Sequence, residues 1–397
     1  MNSRLSIYSA LLKALTAMMT LSILAGCAAD KSKEISISRL AFIGEVVLPA
    51  NMEFEGTTVG GLSGIDYWNG IYYLISDDNG SASDDVNGQA RAYTATLHFD
   101  ANRFYQVRLT GVIPLNDTLH QGIAQPFAPG TVDPEAVRVD PNNGNLIWAN
   151  EGQIKLGLNP QIREIDIAGT LIRTLPLHDM FQIDTTGKTG PRHNVVFEGL
   201  SVAISGDGFW LAMEGPLIQD GEEPEMEDTD SPIRVSLINR ETGGLVRQFA
   251  YELDPVAIRE GTKGVFSVNG VVDVLEYARD QFLFLERSYV AGQSDGGNDV
   301  KLYKVDASNA TDVSQFHGLA GTEYKGAEKQ LLLDFNDIRE QLSTIDDVNI
   351  VDNLEGITFG PILPNGHHSL VVVADNNFNG FDAQLNQFLV FQVIPGP

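Results

Sequence analysis

The chain has 397 residues, with 53 acidic against 26 basic side chains and a formal charge of −27. Apolar residues make up 43% of it, enough for a packed core, so a disordered chain is excluded, and the acidic excess excludes a basic footprint for nucleic acid. The single cysteine excludes an internal disulfide and any cysteine-based zinc or iron–sulfur site.

Residues 1–26 read as an export signal. Arg4 and Lys13 precede a largely apolar, uncharged run, Ala14–Ala25, too short to remain as a spanning anchor. The run ends in Leu24, Ala25, Gly26 and Cys27, which resembles a bacterial lipobox. The resemblance implies cleavage before Cys27 and lipid on its sulfur and new amine. The plain alternative is an ordinary signal peptide whose removal leaves Cys27 unmodified. Lipid chains hold a domain at a bilayer without a spanning helix, at roughly 0.8 kcal/mol per buried methylene. Ala28 follows the cysteine, and by the same resemblance the outer membrane is favoured, facing the periplasm or the cell surface. The membrane is therefore an expected partner. Residues 27–35 make a polar tether, and 36–397 the folded domain.

From 36 to 394, alternating apolar runs bounded by Gly, Asn, Asp and Pro read as strands and turns. Helix signals are scarce: Phe335–Leu342 could make two helical turns capped by Asp334 or Asn336, and 255–262 another short turn. One hairpin unit occurs five times, at Leu62–Asn79, Asp133–Gly152, Phe197–Gly215, Val268–Ser288 and Leu354–Asn377. Each opens on a small or acidic residue with a Gly-apolar step and closes on an acid. The opening positions, Ser63, Glu135, Glu198, Asn269 and Glu355, lie 63 to 86 residues apart. Each interval holds the hairpin and usually two more strands, the anatomy of a propeller blade. Residues 36–48 make a strand without a hairpin partner, and 386–393 a third strand for the last copy. Joining them completes a blade and protects an open edge. The fold class is all-β, a β-propeller of five counted blades, or six if 300–350 holds a degenerate one.

Acids recur at two equivalent places, the opening set Glu135, Glu198 and Glu355 and the closing set Asp77, Glu151, Glu214, Glu286 and Asp375. Equivalent positions on all blades converge on the axis, so both sets should face one funnel. Like charges that close raise one another's pKa. A hard divalent cation relieves the repulsion, and Ca²⁺ accepts six to eight oxygens in loose geometry. The suspected cofactor is therefore Ca²⁺. Arginines are a second remedy: Arg287 follows Glu286, and Arg163 and Arg234 fall in the following strands. The bland reading of each acid is that it accepts backbone N–H bonds from the next blade and fastens blades together.

Other features point less sharply. The acidic run 222–230 reads as a solvated loop or a gate beside the funnel. Asp84, Asp85, Asn87 and Gly88, and also residues 295–299, look like calcium-loop fragments without the full spacing. Trp68, Trp148 and Trp210 fit blade packing. No zinc-protease helix motif, serine-hydrolase elbow, P-loop or dinucleotide glycine motif occurs.

Gly61–Ile65 with Ser76–Asp78, Phe197–Ser201, Met213–Pro216, Glu286–Tyr289, and Leu354–Ile357 with Ala374–Asn376 together resemble the phytase-like family, described as having esterase-like activity of phytase. The resemblance spans roughly 40–393 and implies an extracytoplasmic propeller acting on esters. True calcium-dependent propeller phytases carry six blades, several Ca²⁺ ions and Lys and Arg facing the phosphates. This chain has no lysine cluster beside its acids, which puts phytate in doubt. A hydrolase of this kind would take a small anionic substrate. Asp77, Glu286 and Asp375 would hold metal, with Glu135, Glu151, Glu214 and Glu355 around them. Arg234 and Arg287 would bind the transferring oxygens, and Glu198 would accept the water's proton. The rival class is a non-enzymatic, lipid-anchored propeller that binds a ligand or protein partner as a scaffold.

Overall fold

The structure is a computed structural model that describes residues 34–79, 89–120, 123–227, 229–259, 264–380 and 384–396. The signal segment, Cys27 and the calcium-like stretch at Asp84–Gly88 lie outside the described residues.

Five four-stranded antiparallel sheets form the blades. From the inner to the outer strand, blade one is Gly64–Trp68, Ile71–Ser76, Arg91–Phe99 and Phe104–Pro114. Blade two is Pro134–Val139, Leu146–Asn150, Gln161–Ile165 and Leu171–Leu175, and blade three is Phe197–Val202, Gly208–Met213, Pro232–Asn239 and Leu245–Glu252. Blade four is Ser267–Ala278, Gln281–Val290, Asn298–Asp306 and Glu328–Asp334. Blade five runs Leu354–Phe359, Ser369–Ala374 and Asn386–Ile394, and takes Arg39–Leu48 as its outer strand. That strand pairs from Arg39 with Ile394 to Leu48 with Asn386, the closure expected from 36–48. The count is five, and 300–350 belongs to the outer half of blade four and its connection to blade five.

Local chemistry explains the strands. Inner and second strands are covered on both faces by neighbouring blades, so they read as continuous apolar runs, such as the wholly buried Ser369–Ala374. Outer strands face solvent on one side, and Phe104–Pro114 alternates accordingly. The first inner hairpin turns through Asn69 and Gly70, both at positive φ, which suits a two-residue loop in a right-twisted ribbon. The core lies between sheets, with Trp148 packed between blades one and two and Trp210 in the cluster spanning blades two to four. The segment Phe335–Gln341 is a 3₁₀ helix, capped by Asp334, whose side chain accepts from Asn336 N. No helix forms at 255–259. Among the described residues no helix is long and apolar enough to cross a membrane.

One buried ion pair marks the axis. Arg138, on the inner strand of blade two, donates to both oxygens of Asp273 on that of blade four, at 2.9 and 2.8 Å. The guanidinium also reaches the carbonyls of Ile65, Val137, Val274 and Ile357, while Asp273 accepts from the N–H groups of Leu200, Val274 and Ile357. The pair thus touches the inner strands of all five blades, which is feasible only on the axis. It pins them together and fills the channel there.

Candidate functional site

Strand register shows which residues are equivalent. In the five innermost hairpins, Gly64 faces Ile75, Ala136 faces Ala149, Gly199 faces Ala212, Asp273 faces Leu285 and Gly356 faces Val373. One residue before each first member come Ser63, Glu135, Glu198, Val272 and Glu355. Two residues beyond each second member come Asp77, Glu151, Glu214, Arg287 and Asp375. In blades two, three and five the acid sits at a β-bulge, the extra residue of its strand. A bulge re-aims the side chain, and here Glu135, Glu198 and Glu355 come together above the axial pin.

The ring therefore joins seven carboxylates to one guanidinium, with Asp133 as an eighth acid. Carboxylate oxygens lie within 4.8 Å of one another in three triads: Asp133, Glu135 and Glu151; Glu135, Glu198 and Glu355; Glu151, Glu198 and Glu214. Glu135, Glu151 and Glu198 each belong to two triads, so the triads share corners. Arg287 contributes Nη2 at 3.4 Å from Glu214 Oε1 and 3.3 Å from Glu355 Oε1.

Burial, and then the neighbouring negative charges, push Glu135, Glu151, Glu198, Asp77 and Asp375 well above the ordinary carboxylate range. Burial raises Glu214 to about 7 against the pull of Arg287, and raises Asp133 to about 7 despite the hydrogen bond from Gln153. Glu355 is raised less, because Arg287, Asn353 and Ser63 all favour its anion. Some acids also serve the fold: Glu151 accepts from Val196 N at the start of blade three and fastens it to blade two, and within blade five Asn353 donates to Glu355 and Asp375. Fastening does not satisfy the ring. Asp77 Oδ1 and the Nδ2 of fully buried Asn376 have no partner, and both side chains press against the Gly60–Gly61 step, where no Cβ would fit. Six carboxylates in triads with shared corners, and an orphaned carboxylate oxygen on Asp77, suit a divalent cation such as Ca²⁺.

Two expected residues stand elsewhere. Glu286 points to the other side of its strand, where it accepts from Tyr251 Oη at 2.7 Å, Asp254 N, Asn269 Nδ2 and Lys329 Nζ. It fastens blade three to blade four, and Arg287 takes the ring position instead. Arg234 is fully enclosed: Nε and Nη2 hold Asp220, Nη1 holds Gln248, and the carbonyls of Val313 and Phe316 complete its shell. With its donors committed, it is a structural cation and not a receptor for transferring oxygens. Asp133 was missed by the sequence reading; its signal was its place two residues before Glu135 at a strand opening.

The sequence matches the model of a phytase-like family, described as "Esterase-like activity of phytase", over residues 57–378. The chain belongs to this phytase-like family. No curated protein matches it. Solved structures similar to it include a β-1,3-galactosidase bound to galactodeoxynojirimycin (7% identity, 91% of this chain and 97% of that one, TM-score 0.40). An exo-1,5-α-L-arabinanase from a bovine ruminal metagenomic library shares 8% identity over 86% of this chain and 95% of that one (TM-score 0.41). An α-L-arabinofuranosidase from Podospora anserina shares 9% over 91% and 98% (TM-score 0.39). Similarities this distant carry no functional argument. As a phytase-like domain with acidic clusters fit for metal, the protein is consistent with a metal-assisted ester hydrolase.

Proposed function

We propose that the domain hydrolyses phosphoesters in the cell envelope, with Ca²⁺ held in the acidic ring. The observation that carries this reading is the overlap of three carboxylate triads around a single guanidinium. A scaffold would gain most from a ring closed by ion pairs, whereas this one has seven carboxylates to one Arg.

Asp133, Glu135, Glu151, Glu214 and Glu355 would hold the cation, with Asp77 and Asp375 beside them. A cation bound there would polarise the ester oxygen and acidify a water. The chain's own residues do the rest. Glu198, which belongs to two triads, would accept the attacking water's proton. Arg287, on the neighbouring blade four, receives an anionic oxygen of the ester. The axial pin confines entry to the ring side. Lipid on Cys27 would keep the domain at the outer membrane, where small anionic esters reach it by diffusion.

The test is calorimetric titration of Ca²⁺ into the chain from Ala28 onward, with hydrolysis of p-nitrophenyl phosphate and phytate followed alongside. Binding, a higher melting temperature and calcium-dependent turnover are expected, and Glu198→Gln should lose about 100-fold or more in kcat. No binding at millimolar calcium and no turnover overturns the reading.

A further inference from the structure

Arg287 occupies a position that is acidic in every other blade. The four equivalents are Asp77, Glu151, Glu214 and Asp375, and only the register of blade four brings a guanidinium there. It is the one positive group in contact with the ring carboxylates among the described residues. Its hold on them is loose. Nη2 alone makes both contacts, at 3.3 and 3.4 Å, well beyond the 2.7 to 2.9 Å of a charge-assisted bond. Its Nε is buried without any partner. Both carboxylates it touches are also metal-ligand candidates, since Glu355 and Glu214 each belong to a triad. A second unused donor, Asn376 Nδ2, sits fully buried beside Asp375. Two orphaned donors next to acids that have other neighbours call for an oxygen acceptor from outside the chain.

We propose that Arg287 is the ring's resident cation, which holds Glu214 and Glu355 until divalent metal takes them and then turns its freed N–H groups to an oxyanion. This rests on the reading that the ring binds divalent metal. Metal and anion then bind together. Before metal, the ring offers an anion no cation but Arg287, which is shared between two acids. Once Glu355 and Glu214 are committed elsewhere, the guanidinium has no carboxylate to itself, and an oxyanion can lie between it and the metal side of the ring. Removing Arg287 therefore has opposite effects on the two ligands. The ring loses a competitor for its acids and binds metal more tightly, while the anion loses its receptor. Linkage requires the coupling to be reciprocal: sulfate must strengthen calcium binding by the factor by which calcium strengthens sulfate binding.

The experiment is calcium titration of the chain from Ala28 onward, with and without sulfate, in the wild type, Arg287→Met and Arg287→Lys. In the wild type, sulfate should tighten calcium binding about tenfold, a coupling within the range usual for linked sites. Arg287→Met should bind calcium several-fold more tightly than the wild type and show no response to sulfate. Arg287→Lys keeps the charge without the fork, so its calcium affinity should stay near wild type and its sulfate coupling should weaken. Melting curves report whether each variant is folded, and Arg287→Lys decides the matter if Arg287→Met is not. Calcium binding that Arg287→Met leaves unchanged or weakens, or sulfate coupling that survives it, overturns this inference while the metal reading stands. A wild type that binds no calcium overturns both.

Discussion

Asp273 stands where the other inner strands carry Gly64, Ala136, Gly199 and Gly356. Those small residues let neighbouring strands approach: a Cβ at Gly64 would meet Glu135 O at 2.8 Å, and one at Gly356 would meet Ile65 N at 3.0 Å. Blade four instead brings a carboxylate to the axis and meets Arg138 there, with both side chains almost wholly buried. The partners are not equivalent. Burial raises Asp273 to about 6 even with Arg138 beside it, so it can neutralise itself by taking a proton, whereas a guanidinium cannot shed one. Asp273→Ala should therefore cost about 3–5 kcal/mol, the usual penalty for a stranded buried charge. Arg138→Met should cost less, and less still at mildly acidic pH, where Asp273 is protonated. Urea unfolding of both variants at two pH values checks this. Equal losses at both pH values would show that charge burial is not what the pin contributes.

Among the elements, the outer strand of blade five is the one drawn from the far end of the chain. Arg39–Leu48 covers Asn386–Ile394 along its whole length, and Glu45 accepts from Gln387 within that strand and from Ser343 beyond it. Deleting residues 36–48 uncovers an apolar strand that reads NQFLVFQVI. The truncated chain should lose its cooperative melt and elute as aggregates on gel filtration, while deletion of 28–35 should change neither. The closure was legible because an unpaired strand at each end is a simple count. The register of blade four was not. Its first two strands run to 12 and 10 residues and rise past the ring, so the acid that closes the repeat by sequence, Glu286, lies one residue short of the ring position held by Arg287. The bulge falls at Val272, three residues after Asn269. A bulge adds one residue without a sequence mark, and one residue turns a side chain to the other face. The opening acids of blades two, three and five were readable because their bulges coincide with the Glu-Gly or Glu-Ala step. Arg234 was misplaced for a different reason: sequence shows that an arginine lies in a strand, but not that Asp220 folds back from a loop to enclose it.

At the scale of the molecule, the ring couples stability to pH and to metal. Asp77, Glu135, Glu151, Glu198, Glu355 and Asp375 are all raised in the folded state, and Glu214 and Asp133 are raised to about 7. A carboxyl raised on folding holds a proton that the unfolded chain has already released. The folded state then binds more protons than the unfolded one, and stability falls as pH rises. This loss begins above the ordinary values of 3.8 and 4.5, and continues through about 7 and beyond. Other acids act in the opposite sense: Asp254, Asp295, Asp312 and Glu164, each lowered by its partners, lose their contribution as pH drops below the same ordinary values. With EDTA present, the melting temperature should therefore peak between about pH 4 and 5 and decline steadily to about pH 9. Metal removes the cause of the decline, since a cation stabilises the same ionised oxygens that protons stabilise in its absence, and its affinity rises as the protons leave. Calcium should accordingly flatten the alkaline limb, with its largest rise in melting temperature at the highest pH. An EDTA profile without an alkaline decline would mean that the ring acids find compensation within the chain, and a calcium effect that does not grow with pH would mean that metal binds somewhere other than the ring.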